Sequence, residues 1–207
     1  MDYLKDGAAI YERSFATIRE EAHLAGLPED LEPVAVRLIH TCGMTDLGHF
    51  LAYDPSVVQR GRAALQGGAP ILCDANMVAS GITRSRLPAD NEILCTLKHD
   101  DVPELAKKMK TTRSAAAIDL WEPDLEGAVV AIGNAPTALF HLLERLDEGW
   151  PKPAAILAFP VGFIGAAESK QELAMDSRGV PFLTLHGRRG GSAMAVAAVN
   201  AIADERE

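Results

Sequence analysis

Aromatic side chains are scarce in this chain: Phe, Tyr and Trp together make up 5% of its 207 residues. A sandwich core built on stacked rings is therefore not expected, and alanine, glycine and short aliphatic residues must do the packing. Only three cysteines are present, Cys42, Cys73 and Cys95, an odd number with no CxxC pair. That argues against a disulfide framework and fits a reducing compartment; Cys73 and Cys95 read as small core residues. No apolar run reaches the ~20 residues that span a bilayer. The opening Met1-Asp2-Tyr3-Leu4-Lys5-Asp6 lacks the shape of a signal peptide, so the cytoplasm is the expected compartment. Basic residues are outnumbered, 20 Lys and Arg against 29 Asp and Glu, for a net charge of -9. That balance speaks against a general nucleic-acid or anionic-membrane surface, though not against a local basic pocket. Also missing are a Walker loop, a GxGxxG fingerprint, a nucleophile elbow and any serine or cysteine tied by motif to a histidine and an acid. Without an electron carrier or an activated nucleophile, an isomerase or a binding protein fits better than a redox enzyme or a kinase.

What is present is a repeated unit: short apolar strand, glycine-rich turn, helix. Ala128-Val129-Val130-Ala131-Ile132 runs into Gly133-Asn134-Ala135-Pro136-Thr137 and a helix; residues 154–159 run into Pro160-Val161-Gly162-Phe163-Ile164-Gly165 and another. Phe182-Leu183-Thr184-Leu185 runs into His186-Gly187-Arg188-Arg189-Gly190-Gly191-Ser192 and a third. This alternation predicts an α/β fold, three-layered, with a mostly parallel central sheet covered by helices on both faces. Upstream, periodicity predicts helices over residues 6–25 and 28–39, the second opened by Pro28, and a short strand over 47–53. A helix capped by Ser56 ends at Gly67-Gly68. Strands follow over 69–74 and 91–97, then a helix over 102–109 and another opened by Thr112-Arg113-Ser114. No linker or boundary divides the chain, so residues 1–207 read as one domain.

In such sheets ligands sit outside the carboxyl ends of the strands, where loops lead into helices. Those loops carry Asp74, Asn76, Thr83, Arg84, Asn134, Thr137, Lys170 and Arg188. A site built from so many separated segments suits a broad ligand. The Gly187–Ser192 turn offers free backbone N–H groups and two arginines, an anion site or else simply a structural turn. Arg113 is either part of a helix cap or a carboxylate clamp, and its planar fork suits the second. Lys170 either lies on a solvated helix face or reaches the mouth of the site. Ser14 interrupts an apolar stripe of the first helix between Ile10 and Ile18; it either bonds its own backbone or aims a hydroxyl into a pocket.

The stretch around which these parts are arranged is Arg37-Leu38-Ile39-His40-Thr41-Cys42-Gly43-Met44-Thr45-Asp46. A histidine in the last turn of a helix faces unpaired carbonyls and the negative end of the dipole, which favour the imidazolium. Asp46 could favour the same form. His40 is therefore either a packed histidine or a poised acid. His40, Cys42, Asp46 and His49 also offer metal-ligand chemistry, but their spacing matches no zinc pattern, and no metal is expected.

The segments RLIHTCGM, GAPILCDANMVASGI, TTRSAAA, IGNAPTAL, FPVGFIGAAESK and HGRRGGSAMAVAAVNAI, in this order, resemble the precorrin-8X methylmutases of cobalamin biosynthesis. The second arginine of GRRGGS, Arg189, stands where lysine is frequent in that family. The resemblance implies an isomerase that moves a methyl group from C-11 to C-12 on ring C of the tetrapyrrole precorrin-8, giving hydrogenobyrinate, or the equivalent reaction on a cobalt-bearing substrate. It implies no external cofactor, His40 as proton donor, a homodimer with the site near its interface, and tight product binding. A polycarboxylate macrocycle calls for scattered anchors, and Ser14, Thr83, Arg84, Arg113, Asn134, Lys170 and Arg188 are the candidates. A non-catalytic tetrapyrrole carrier and a small nucleotide- or phosphate-binding protein are the competing expectations.

Overall fold

The computed structural model describes Met1 and residues 3–204. In chain order its regular elements are α1 (Gly7–Glu21), α2 (Glu32–Cys42), β1 (Leu51–Tyr53), α3 (Val57–Gln66), β2 (Ile71–Cys73), α4 (Asn76–Gly81), β3 (Ile93–Leu94), α5 (Val102–Met109), α6 (Arg113–Ile118), β4 (Val129–Ile132), α7 (Pro136–Asp147), β5 (Ala155–Ala158), α8 (Ala166–Met175), β6 (Phe182–Leu185) and α9 (Ser192–Ala203). The strands form one sheet in the order β1-β6-β5-β4-β2-β3. All neighbours are parallel except β1 and β6, which pair antiparallel with Leu51 opposite Leu185.

Alternation along each strand feeds two hydrophobic layers, because successive side chains point to opposite faces of a sheet. In β4, Val129 and Ala131 enter a cluster with Phe15, Val34, Leu38, Val78 and Val199, whereas Val130 and Ile132 enter another with Ile118, Trp121, Leu139 and Leu173. Helices α1–α4 and α9 thus cover one face and α6–α8 the other: the expected three layers. Both faces being buried, β4, β5 and β6 are apolar or satisfied along their whole length; the one hydroxyl, Thr184, donates to the Ala158 carbonyl at 2.5 Å.

α9 explains the alanine-rich end of the chain. It packs against α2, α3, α4, β4 and β5 at once, so it is apolar on nearly every side and small enough to admit close neighbours. A Cβ on Gly133 would fall 2.6 Å from the Ser192 Cα. The turn after β4 is therefore glycine because the backbone of α9 begins against it.

Several boundaries differ from the sequence expectation. Pro28 opens only a turn, accepting from the Leu31 and Glu32 N–H groups; the helix starts later, with Pro33 in its first turn. Two prolines compete to open this helix, and the one nearer the apolar run wins. Residues 45–50 form 3-10 turns rather than strand, and only Leu51–Tyr53 pair. The candidate strand over 91–97 shrinks to Ile93–Leu94, because the chain turns into a 3-10 segment at Thr96. Ser56 does stand at the N-cap of α3, but its hydroxyl donates to Asp54 at 2.6 Å instead of capping the helix. Among the described residues no helix is long and apolar enough to cross a membrane.

Candidate active site

α2 ends as its sequence dictates. Gly43 adopts φ 70° and returns its N–H to the Ile39 carbonyl, the left-handed stop that only glycine makes without cost. This leaves His40 in the last turn, half-buried, beside α1. Its Nδ1 lies 2.8 Å from the Ser14 hydroxyl. The Tyr11 ring lies 5.2 Å away at a tilt, and Phe15 meets the imidazole edge-on at 5.1 Å. Ser14 thus turns away from its own helix backbone to bond across to α2. With Nδ1 committed, Nε2 is the nitrogen open to a ligand.

His40 lines a cleft of about 440 Å³ whose walls include Tyr11, Arg37, Thr83, Arg86, Ser192 and Asn200. A second hollow of about 470 Å³ adjoins it and shares Tyr11 and Arg86. Together they form two adjoining recesses beside α1. The two guanidiniums give the cleft a cationic wall. Burial holds the Arg37 guanidinium below its ordinary range, Arg86 pushes it further down, and Asp204 opposes both. Arg86 in turn lies 3.8 Å from Asp204.

Of the sequence-derived candidates, His40, Ser14 and Thr83 gather here. Thr83 is held by Asn200, whose side-chain oxygen accepts the Thr83 N–H at 3.0 Å. Arg84 is exposed on the next residue, outside the cleft lining. Asn134 is exposed beside the start of α9, through the contact of Gly133 with Ser192. Arg113 is exposed in the first turn of α6, with Thr112 capping the helix on the Ala115 N–H and touching Thr137 at 2.8 Å. Arg188 is also exposed, 5.2 Å from the Phe163 ring. None of these four lines the His40 cleft.

Three expectations are corrected. Lys170 neither faces solvent nor reaches a mouth: it is 0% exposed and donates to the Arg189 carbonyl. Burial alone pulls its ammonium down to about 8. Helix α8 carries it inward because the small residues before it, Ala166 and Ser169, let the helix press against the sheet. Asp46 does not serve His40; both its oxygens accept from Arg189 at 2.8 Å, and Arg189 also stacks on Phe50 at 4.7 Å. The Gly187–Ser192 turn therefore presents one outward arginine, Arg188, not two. Asp74 is no ligand group either. Buried under the crossover from β2 to β4, it accepts N–H bonds from Gly133, Asn134 and Ala135 at 2.8–3.0 Å. Burial pushes its carboxyl above the usual range, against those three donors, which favour the anion.

Sequence reasoning missed Arg37, Arg86, Tyr11 and Asn200 as cleft residues. Arg37 was legible, since it precedes His40 by three positions and so shares its helix face. Arg86 carried no local signal. His141 is a structural histidine, its Nε2 2.7 Å from Asp119 Oδ1. Among the described residues no three His, Cys, Asp or Glu side chains converge as a metal group would require.

A doubly covered, mostly parallel α/β sheet that presents a histidine to an arginine-walled cleft can offer a ligand both counter-charge and a proton. The particular family follows from comparison. Residues 9–205 match the precorrin-8X methylmutase family model. The chain is 65% identical to a precorrin-8X methylmutase of Pseudomonas aeruginosa over the full length of both, and 58% identical to one from Sinorhizobium sp, covering 98% of this chain and 96% of that one. It is 38% identical to a cobalt-precorrin-8 methylmutase of Priestia megaterium, over 92% of this chain and 84% of the other. A solved precorrin-8X methylmutase from Thermus thermophilus superposes with a TM-score of 0.85 at 37% identity, covering 95% of each chain. The chain belongs to the precorrin-8X methylmutase family, isomerases of cobalamin biosynthesis.

Proposed function

We propose that this protein, acting as one domain over residues 1–207, converts precorrin-8 to hydrogenobyrinate by migration of a methyl group from C-11 to C-12, with His40 as the proton donor. The reaction is an isomerisation: the proton lent to the ring-C nitrogen is returned, and no electrons are gained or lost. One positioned acid is then sufficient chemistry, typically about 10²–10⁴-fold in rate, and orientation of the macrocycle supplies the rest. The observation that carries this reading is His40 itself, fixed through Nδ1 by Ser14 at 2.8 Å and lining a cleft walled by Arg37 and Arg86. Those two arginines take substrate carboxylates nearest the acid. Thr83, Arg84, Arg113, Asn134 and Arg188 are the outer anchors. Lys170 contributes indirectly, by holding the backbone from which Arg188 projects.

The metal-free substrate is favoured over the cobalt form by the names of the relatives at 65% and 58% identity, against the cobalt-named relative at 38%. A homodimer is supported by the apolar side chains left uncovered in the loop between β5 and α8, with Phe163 82% and Ile164 91% exposed. A second copy seated there would close the broad site and account for tight product binding. The test is His40→Ala incubated with precorrin-8 while the absorption spectrum is followed. The expected result is a folded protein that binds the pigment without converting it; full turnover by that variant would remove His40 as the essential acid.

A further inference from the structure

We infer that Ser14 is a positioning residue for His40, not a substrate anchor: its hydroxyl holds the imidazole through both halves of a proton loan. This rests on His40 being the proton donor. Ser14 is half-buried on α1, next to the buried Phe15 and one turn before the buried Ile18, where a serine ordinarily bonds its own helix. Here its oxygen instead lies 2.8 Å from Nδ1 of a histidine 26 residues on. A hydroxyl donates and accepts. Its oxygen takes the Nδ1–H of the imidazolium, and it still takes that Nδ1–H from the neutral ring left once Nε2 has given its proton away. The bond therefore survives when Nε2 loses its proton and when it regains it, and the ring need not turn between the two steps.

The chemistry of the partner matters as much as its place. A carboxylate at Nδ1 would favour the imidazolium and weaken it as a donor. The acid best placed in sequence to do that, Asp46, is held by Arg189 at 2.8 Å. His40 is thus left with a neutral partner, which orients the ring without trapping its proton. The flanking rings of Tyr11 and Phe15, at 5.2 and 5.1 Å, restrict the remaining rotation.

The test compares Ser14→Thr with Ser14→Val, which are equal in shape and differ in the hydroxyl. Ser14→Thr is expected to keep kcat within a few-fold of wild type. Ser14→Val is expected to lose about ten-fold or more in kcat, the loss of one hydrogen bond to a charged ring, with hydrogenobyrinate affinity unchanged. A Val variant that binds product weakly at normal kcat would make Ser14 a ligand residue and overturn the inference. Equal kcat in the two variants would overturn it as well. Nitrogen-15 spectra of His40 give a readout that needs no turnover: in wild type and Ser14→Thr the neutral ring should carry its hydrogen on Nδ1, and Ser14→Val should mix the tautomers. Identical spectra in all three would refute the bond's role. Wild-type protein that binds but does not convert precorrin-8 would instead refute the reaction assigned to His40, leaving the spectra to decide on Ser14.

Discussion

Replacing Lys170 by methionine removes a charge that nothing beside it neutralises. The ammonium is 0% exposed, its hydrogen bond goes to the Arg189 carbonyl, and burial lowers it from the ordinary 10.5 to about 8. The folded protein therefore releases this proton near pH 8, whereas the unfolded chain keeps it to about 10.5. Between those values unfolding takes up a proton, so raising the pH favours the native state. From pH 7.5 to pH 10 the contribution amounts to about 2 kcal/mol. Lys170→Met keeps the stem length and loses the titration. It also leaves the Arg189 carbonyl without its donor, a penalty of about 1–3 kcal/mol. Near pH 7 that penalty and the relieved cost of burying the charge oppose each other, and the two proteins should have similar stability. Near pH 10 wild type should be the more stable, by about 2 kcal/mol, or about 4–8 °C in Tm for a chain of this size. Urea unfolding of both proteins at the two pH values measures the difference directly. A difference that does not change with pH would mean that Lys170 is not desolvated, and the reasoning would fail.

Arg37→Met should weaken hydrogenobyrinate binding by about ten-fold, the loss of a charged hydrogen bond, while His40→Ala leaves binding intact; pigment titration separates them. Gly190→Ala places a Cβ 2.6 Å from the Pro160 carbonyl oxygen and closer still to that of Phe159; with backbone on both sides it should lower stability by about 3 kcal/mol or more, read as a drop in Tm. Asp74→Asn removes one carboxylate oxygen from three backbone donors and should destabilise by about 2 kcal/mol, measured by denaturant unfolding.

The layers were readable because β4, β5 and β6 are each short, apolar and soon followed by a glycine or proline, as after Val129–Ile132 and Phe182–Leu185. The histidine was readable because Gly43 marks the end of its helix. What could not be read was which polar groups are spoken for. Asp46 and Asp74 both look available in the sequence, and each is consumed by a partner more than 50 positions away. Lys170 follows Glu168 and Ser169 on an apparently polar helix face, and only packing against the sheet shows that it turns inward. Arg86 reaches the cleft through a 3-10 turn whose direction no local pattern encodes.

The placement of His40 follows from how the sheet is closed. The chain reverses direction of growth between β2 and β4, since β3 lies beyond β2 and β4 on its other side. A parallel sheet ordinarily opens a ligand crevice at such a point. Here Asp74 fills it and takes the three N–H groups that would have met a ligand anion at the start of α7. An anionic substrate then finds those N–H groups already taken. It must settle further out, where α1, α2 and α9 meet and where the charges, Arg37 and Arg86, are positive. The candidate histidine consequently comes from the end of a covering helix instead of a strand-end loop, and the cleft it lines lies between helices rather than in the crevice.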